Sequence, residues 1–224
     1  MSSSPVKVFG SAAFTNVARV LVCLEEVGAE YELVDVDFHA KEHKGPDHLA
    51  RNPFGQVPAF QDGDLMLFES RAISRYVLRK YRTAGGVDLL RDGDGDLVAS
   101  AVVDAWLDAE ALRYEPAVHA VFVQHRVVPA LGGTPDERVI GESLERLREA
   151  LEVYEARLAR HRYLAGDAVS LADLSHFPYT HYFMGMPYAA AAFDTFPRVK
   201  AWWADIAARP AVQKVAAMMA ESSG

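Results

Sequence analysis

Hydrophobic spacing divides the chain in two, with short or alternating apolar runs up to about residue 82 and helical spacing from about residue 97 onward. Val6-Lys7-Val8-Phe9-Gly10 is a short apolar run closed by glycine, the pattern of a buried strand that ends in a turn. From Thr15 to Val27, the residues Val17, Val20, Leu21 and Leu24 share one helical face, and Gly28 supplies the stop. Tyr31–Val36 alternates as a second strand. Val57, Ala59 and Phe60, then Asp62-Gly63-Asp64, then Leu65–Phe68 predict a β-hairpin, because Asp-Gly between apolar runs favours a tight turn. Ala72, Ile73, Tyr76, Val77 and Tyr81 then recur at helical spacing, so a helix starts at Glu69-Ser70.

Beyond the hairpin the pattern is helical throughout. Leu97, Ala101, Ala105, Asp108 and Leu112 mark one face of a long helix that continues past Pro116 with a kink. Leu144, Leu147, Leu151, Tyr154 and Leu158 step by three and four, which predicts an amphipathic helix. Ser170-Leu171-Ala172-Asp173 has the form of a capping box. Trp202, Trp203 and Ile206 belong to a further helix, and Arg209-Pro210 opens the last one. The first half, in the order βαβ–ββα, is a thioredoxin-like α/β domain by its elements, with a right-handed crossover. The expected division is a domain over 1–82, a Gly- and Asp-rich linker over 83–96 and an all-α domain over 97–224.

Composition narrows the partners. With 224 residues and a net charge of −8, nothing favours nucleic acid or an anionic membrane surface. No basic segment followed by an apolar core reads as a signal peptide, and no apolar run approaches the ~20 residues that cross a bilayer. The single cysteine, Cys23, has no partner for an internal disulfide and fits a reducing cytoplasm. His39, His43, Lys44 and His48 crowd one polar stretch, but their spacing matches no zinc pattern. The acidic run at 92–96 lacks the EF-hand spacing, so no metal is expected.

The candidate chemistry gathers after the hairpin. A helix N-terminus offers unpaired N–H groups and the positive end of a dipole, and Ser70 adds a hydroxyl there. Glu69 adds a carboxylate, so the pair suits a ligand with an α-carboxylate and an α-amine. Without a ligand, Ser70 reads as a helix cap and Glu69 as a solvated charge. Pro58 at the start of the hairpin leaves an edge that an extended peptide can pair with through its main chain.

The string NPFGQVPAFQDGDLMLFESRAI, Asn52 to Ile73, resembles the glutathione-binding signature of glutathione S-transferases, in wording the plant-type phi class. The likeness runs from Lys7-Val8-Phe9-Gly10 to Arg209-Pro210-Ala211. It implies glutathione as co-substrate, transfer of its thiolate to an apolar electrophile in detoxification chemistry, and a homodimer. By position it implies that His43, Lys44, Gln56, Val57, Pro58, Glu69, Ser70 and Arg71 bind glutathione. Phe14, Phe38, His119, Phe122, Val123, Tyr179 and Tyr182 map to the acceptor site; aromatics at helical spacing are equally core residues.

One position departs from that family. The phi pattern has a serine four residues after KVFG, where its hydroxyl hydrogen-bonds the glutathione sulfur; here the count reaches Phe14. Phenylalanine has no donor. Thr15, one residue on, is the catalytic candidate, with Ser11 second; Thr15 is equally an N-cap. Two further readings stay open: a non-catalytic glutathione or hydrophobic-ligand binder, and a glutathione-dependent isomerase of one metabolite.

Overall fold

A computed structural model describes residues 5–82, 86–93 and 96–222; 83–85 and 94–95 of the expected linker lie outside the described residues. The chain forms two compact units, Met1–Leu90 with Pro210–Gly224, and Arg91–Arg209.

In the first unit, β1 (Val6–Phe9), α1 (Thr15–Val27), β2 (Tyr31–Val34), α2 (Pro46–Arg51), β3 (Ala59–Asp62), β4 (Leu65–Phe68) and α3 (Ser70–Lys80) follow in order, and α12 (Pro210–Glu221) joins them. The mixed sheet runs β2-β1-β3-β4, with β1 and β2 parallel and the β3–β4 hairpin antiparallel to its neighbours. This is the thioredoxin-like order of strands and helices expected. Val17, Val20, Leu21 and Leu24 of α1 are fully buried with Ile73 and Val77 of α3, and α1 packs on both α3 and α12. Gly28 ends α1 in the left-handed region at φ 63°, which a side chain would strain.

Three local details differ from the sequence pattern. The second strand ends at Val34, two residues early. The stretch 38–51, polar and loop-like by composition, contains a 3₁₀ turn over Glu42–Lys44 and then α2, where Pro46 sits in the first helical turn with its φ already set. The hairpin's first strand begins at Ala59, after Pro58, so Val57 stands outside the ladder.

The second unit is helical: α4 (Leu97–Ala109), α5 (Glu115–Phe122), α6 (Val128–Ala130), α7 (Glu137–Leu158), α8 (Leu171–Leu174), α9 (Phe177–Met184), α10 (Ala189–Phe193) and α11 (Pro197–Ala207). Two π-helical turns, Glu110–Tyr114 and Val123–Val127, carry α4 into α5 and α5 into α6. The first lies just before Pro116, whose missing N–H a regular ladder cannot accommodate. The long helix buries Val103, Leu107, Tyr114, Val118 and Val121, not the stripe through Leu97 and Leu112, which are 80% and 71% exposed. Leu147, Leu151 and Tyr154 of α7 are buried as their spacing requires. The capping box forms: Asp173 Oδ2 accepts from the Ser170 N–H at 2.9 Å and from Ser170 Oγ at 2.8 Å. Asp173 Oδ1 accepts from Trp202 Nε1 and the Leu164 N–H, both at 2.9 Å, so α8 and α11 share one buried carboxylate.

Candidate functional site

The first unit holds two helix N-termini and one segment outside the β-ladder where ligand-binding residues are expected. Helix α3 begins at Ser70, and its N-cap is Glu69 at φ 70°, ψ 104°, a left-handed position for a residue with a Cβ. Such backbone costs about 1–3 kcal/mol and concentrates at functional sites. The Glu69 side chain makes no cap bond and is exposed, so its carboxylate is left for another partner. Ser70 is buried and is not a cap. Its Oγ accepts from Arg19 Nη1 at 2.9 Å and lies 3.4 Å from Asn16 Oδ1, to which Arg19 also donates.

The segment before β3 is held from below. Asn52, buried, donates from Nδ2 to the Gln56 carbonyl at 2.8 Å and accepts the Phe54 N–H at 3.0 Å. His48 Nε2 donates to the same Gln56 carbonyl at 2.8 Å. Lys44 Nζ donates to the Gly55 and Phe54 carbonyls at 2.8 and 3.2 Å. Gly55 has φ 58°, and a Cβ there would meet the His43 carbonyl at 2.8 Å, so only glycine lets these strands of chain approach. Next comes the cis Val57–Pro58 peptide. Among the described residues Val57 forms no main-chain hydrogen bond, which leaves its N–H and C=O for an incoming peptide.

At the N-terminus of α1 the chemistry is different. Phe14 is the N-cap and has no side-chain cap bond; Thr15 is the first helical residue and not the cap. The first-turn N–H groups are therefore left without an intrahelical acceptor or a capping oxygen. Phe14 packs on Phe38 with ring centroids 4.2 Å apart, and Phe38 stacks on His43 at 4.0 Å and 11°. Burial, then the charges of Lys44 and His48, hold the His43 imidazolium below the usual range. His43 Nδ1 is buried without a hydrogen-bond partner. Ser11 Oγ accepts weakly from the Ala13 N–H at 3.4 Å. Cys23 is buried in α1, and burial pushes its thiol up to about 12, so it is not a reactive thiolate.

In the second unit, α5 and α9 bring the expected acceptor residues together. His119 Nδ1 and the Tyr179 hydroxyl are 2.9 Å apart. Phe122 meets Tyr179 edge-on at 6.2 Å and Tyr182 at 5.4 Å. Val123, half-buried, opens the second π-helical turn. Of the glutathione set, Gln56 and Lys44 are exposed, Pro58 is buried and Arg71 follows Ser70 in the first turn of α3. No group of three or more His, Cys, Asp or Glu among the described residues is placed to hold a metal. Sequence reasoning missed Arg19, Asn16, His48 and Asn52 as supports; a lone arginine inside the apolar run Val17–Leu24 was the available signal.

Comparison with known proteins bears on these features. Residues 4–79 match the family described as "Glutathione S-transferase, N-terminal domain" and residues 111–210 the corresponding C-terminal domain. The chain is 60% identical to the "Probable glutathione S-transferase GSTF1" of Oryza sativa subsp. japonica, covering 97% of this chain and 98% of that one. It is 56% identical to "Glutathione S-transferase 1" of Triticum aestivum, over 95% of this chain and 93% of the relative. Among solved structures, glutathione S-transferase I from maize in complex with an atrazine glutathione conjugate is 48% identical, with a TM-score of 0.90 and coverage of 98% and 100%. Glutathione transferase F7 from Populus trichocarpa is 47% identical, with a TM-score of 0.91 over 96% and 99%. The chain therefore belongs to the glutathione S-transferase family, among relatives of the plant phi class.

Proposed function

We propose that this protein binds glutathione along Val57 and adds its thiolate to an electrophilic carbon of an apolar acceptor. The observation that carries the reading is the N-terminus of α3, where a buried Ser70 hydroxyl adjoins the exposed, uncapped Glu69 carboxylate. Ser70 and the first-turn N–H groups suit the ligand's α-carboxylate, and Glu69 its α-ammonium. The free main chain of Val57 suits the cysteinyl residue, as in strand addition. His43, Lys44 and Gln56 are assigned to the glycine carboxylate, with Pro58 and Arg71 completing the set.

The nucleophile is the ligand's sulfur, not a protein group. Its proton leaves to solvent, a sulfur–carbon bond forms, and the displaced electron pair departs with the leaving group or moves onto the acceptor. The protein's part is to orient the thiolate and stabilise its charge. Thr15 is assigned the hydroxyl that donates to sulfur, aided by the uncapped N-terminus of α1. Acceptor contact is assigned to Phe14 and Phe38 in the first unit, and to His119, Phe122, Val123, Tyr179 and Tyr182 in the second. Phe14, lacking any donor, favours one rival: a protein that binds glutathione without activating it.

Following conjugate formation between glutathione and a nitro-activated aryl chloride tests the proposal. Saturable turnover is expected; tight binding without turnover would establish the binder instead. The protein is assigned to the cytoplasm as a homodimer. Among the described residues no helix is long and apolar enough to cross a membrane. A monomer mass independent of concentration in light scattering would rule the dimer out.

A further inference from the structure

Arg19 is among the largest fully buried side chains of the molecule, at 0% exposure, in the middle of an otherwise apolar helical face. Ending a guanidinium there costs several kcal/mol of desolvation, so its position calls for an account. It donates through Nη1 to Ser70 Oγ at 2.9 Å and to Asn16 Oδ1. Arginine has donors only, so the Ser70 oxygen is the acceptor in this contact and its proton points elsewhere. Its nearby acceptor is Asn16 Oδ1 at 3.4 Å, a separation at the weak limit of hydrogen bonding. Ser70 thus holds a proton that is poorly used at rest, with a cation directly behind its oxygen.

We infer that Arg19 is a positioning residue for the ligand's α-carboxylate: it fixes Ser70 as an outward donor and places a buried positive charge behind that donor. The inference rests on the glutathione reading above and deepens it. An arriving carboxylate replaces the long contact to Asn16 with a charge-assisted hydrogen bond, roughly twice as strong as a neutral one. The same anion offsets part of the desolvation of the guanidinium. Carboxylate recognition on α3 is therefore set from α1, by a residue that does not touch the ligand.

A purely structural Arg19 would tie α1 to α3 and affect every ligand equally, which separates the two roles. Calorimetry on the full chain compares glutathione with γ-aminobutyryl-cysteinyl-glycine, the same peptide without the α-carboxylate. Arg19→Gln is expected to weaken glutathione about 10- to 100-fold, the range for a hydrogen bond to a charged group, while the analogue changes less than about threefold. Arg19→Lys, which keeps the charge, recovers most of the loss. Ser70→Ala added to Arg19→Gln costs little more, because the two act as a unit. Asn16→Asp gives an independent route, since its carboxylate captures the Ser70 proton and neutralises Arg19 with both left in place. It too should lower glutathione affinity and spare the analogue. Equal weakening of both peptides, additive losses, or unchanged selectivity in Asn16→Asp overturns the inference. Wild-type protein that binds neither peptide overturns the glutathione reading and this inference with it.

Discussion

The N-termini of α1 and α3 are both offered to an anion, but they are built in opposite ways. At α3 the polar equipment is complete: Ser70 is buried against Arg19, and Glu69 holds a left-handed backbone with its carboxylate unused. At α1 the cap position carries Phe14, whose ring goes to Phe38 and whose side chain caps nothing. The α3 end depends on groups fixed by the core of the unit. The α1 end depends on half-buried residues outside that core. The difference separates two properties that are easily merged: holding glutathione and ionising it. On the proposed reading, α3 holds the ligand whatever stands at position 14, while activation is assigned to the hydroxyl and N–H groups that remain at α1.

Breaking the α1 end should have the largest effect. On the assignment of Thr15 as the donor, removing its hydroxyl takes a hydrogen bond from the anion, and each unit of lost thiol pKa depression cuts the thiolate near neutral pH about tenfold. Thr15→Ala is expected to lower conjugation rates about 10- to 100-fold with glutathione affinity nearly unchanged, read as kcat against KM. The α3 end should fail in the opposite sense. Ser70→Ala leaves part of a buried anion site without its donor, costing about 1–3 kcal/mol of glutathione affinity in calorimetry. A similar loss from both variants in the same parameter would erase the distinction.

Smaller effects sharpen it. His43 is held below the usual imidazole range by burial and by Lys44 and His48, so it is neutral near pH 7 in the free protein. Protonation gives it the charge that suits the glycine carboxylate, so glutathione affinity should rise as pH falls below about 6.5. The gain should be only a few-fold, as for an ion pair still open to solvent on one side, and His43→Asn should remove it. Smallest of all, Phe14→Ser should change the rate of a generic electrophile by less than about twofold, if Thr15 supplies the donor the serine would bring. A large gain would return the activating role to position 14.

What the sequence revealed follows the range of the forces involved. The hairpin was legible because Asp62-Gly63-Asp64 and its flanking runs are local, and the turn sits at Gly63 with φ 58°. The Ser170–Asp173 box was legible for the same reason. Helix α2 was not: six residues hold too little apolar periodicity, and the Nε2 of its buried His48 bonds to a carbonyl eight residues away. The long helix of the second unit carries apolar residues on two faces, and packing on α7 and α9 decides which is buried. In the sequence Arg19 is a lone charge among apolar residues; only the fold brings Ser70, 51 positions later, to its guanidinium. In the same way, the spacing of α12 shows a helix but not that it packs on α1.

Thr15, not position 14, is assigned the ionisation of the bound thiol. Ultraviolet titration of bound glutathione in the wild type, Thr15→Ala and Phe14→Ser measures it directly. A wild-type thiol pKa below the free value of about 8.5 is expected, with a rise of one unit or more in Thr15→Ala and a value close to wild type in Phe14→Ser. The same pKa in all three, or a drop in Phe14→Ser alone, would contradict it.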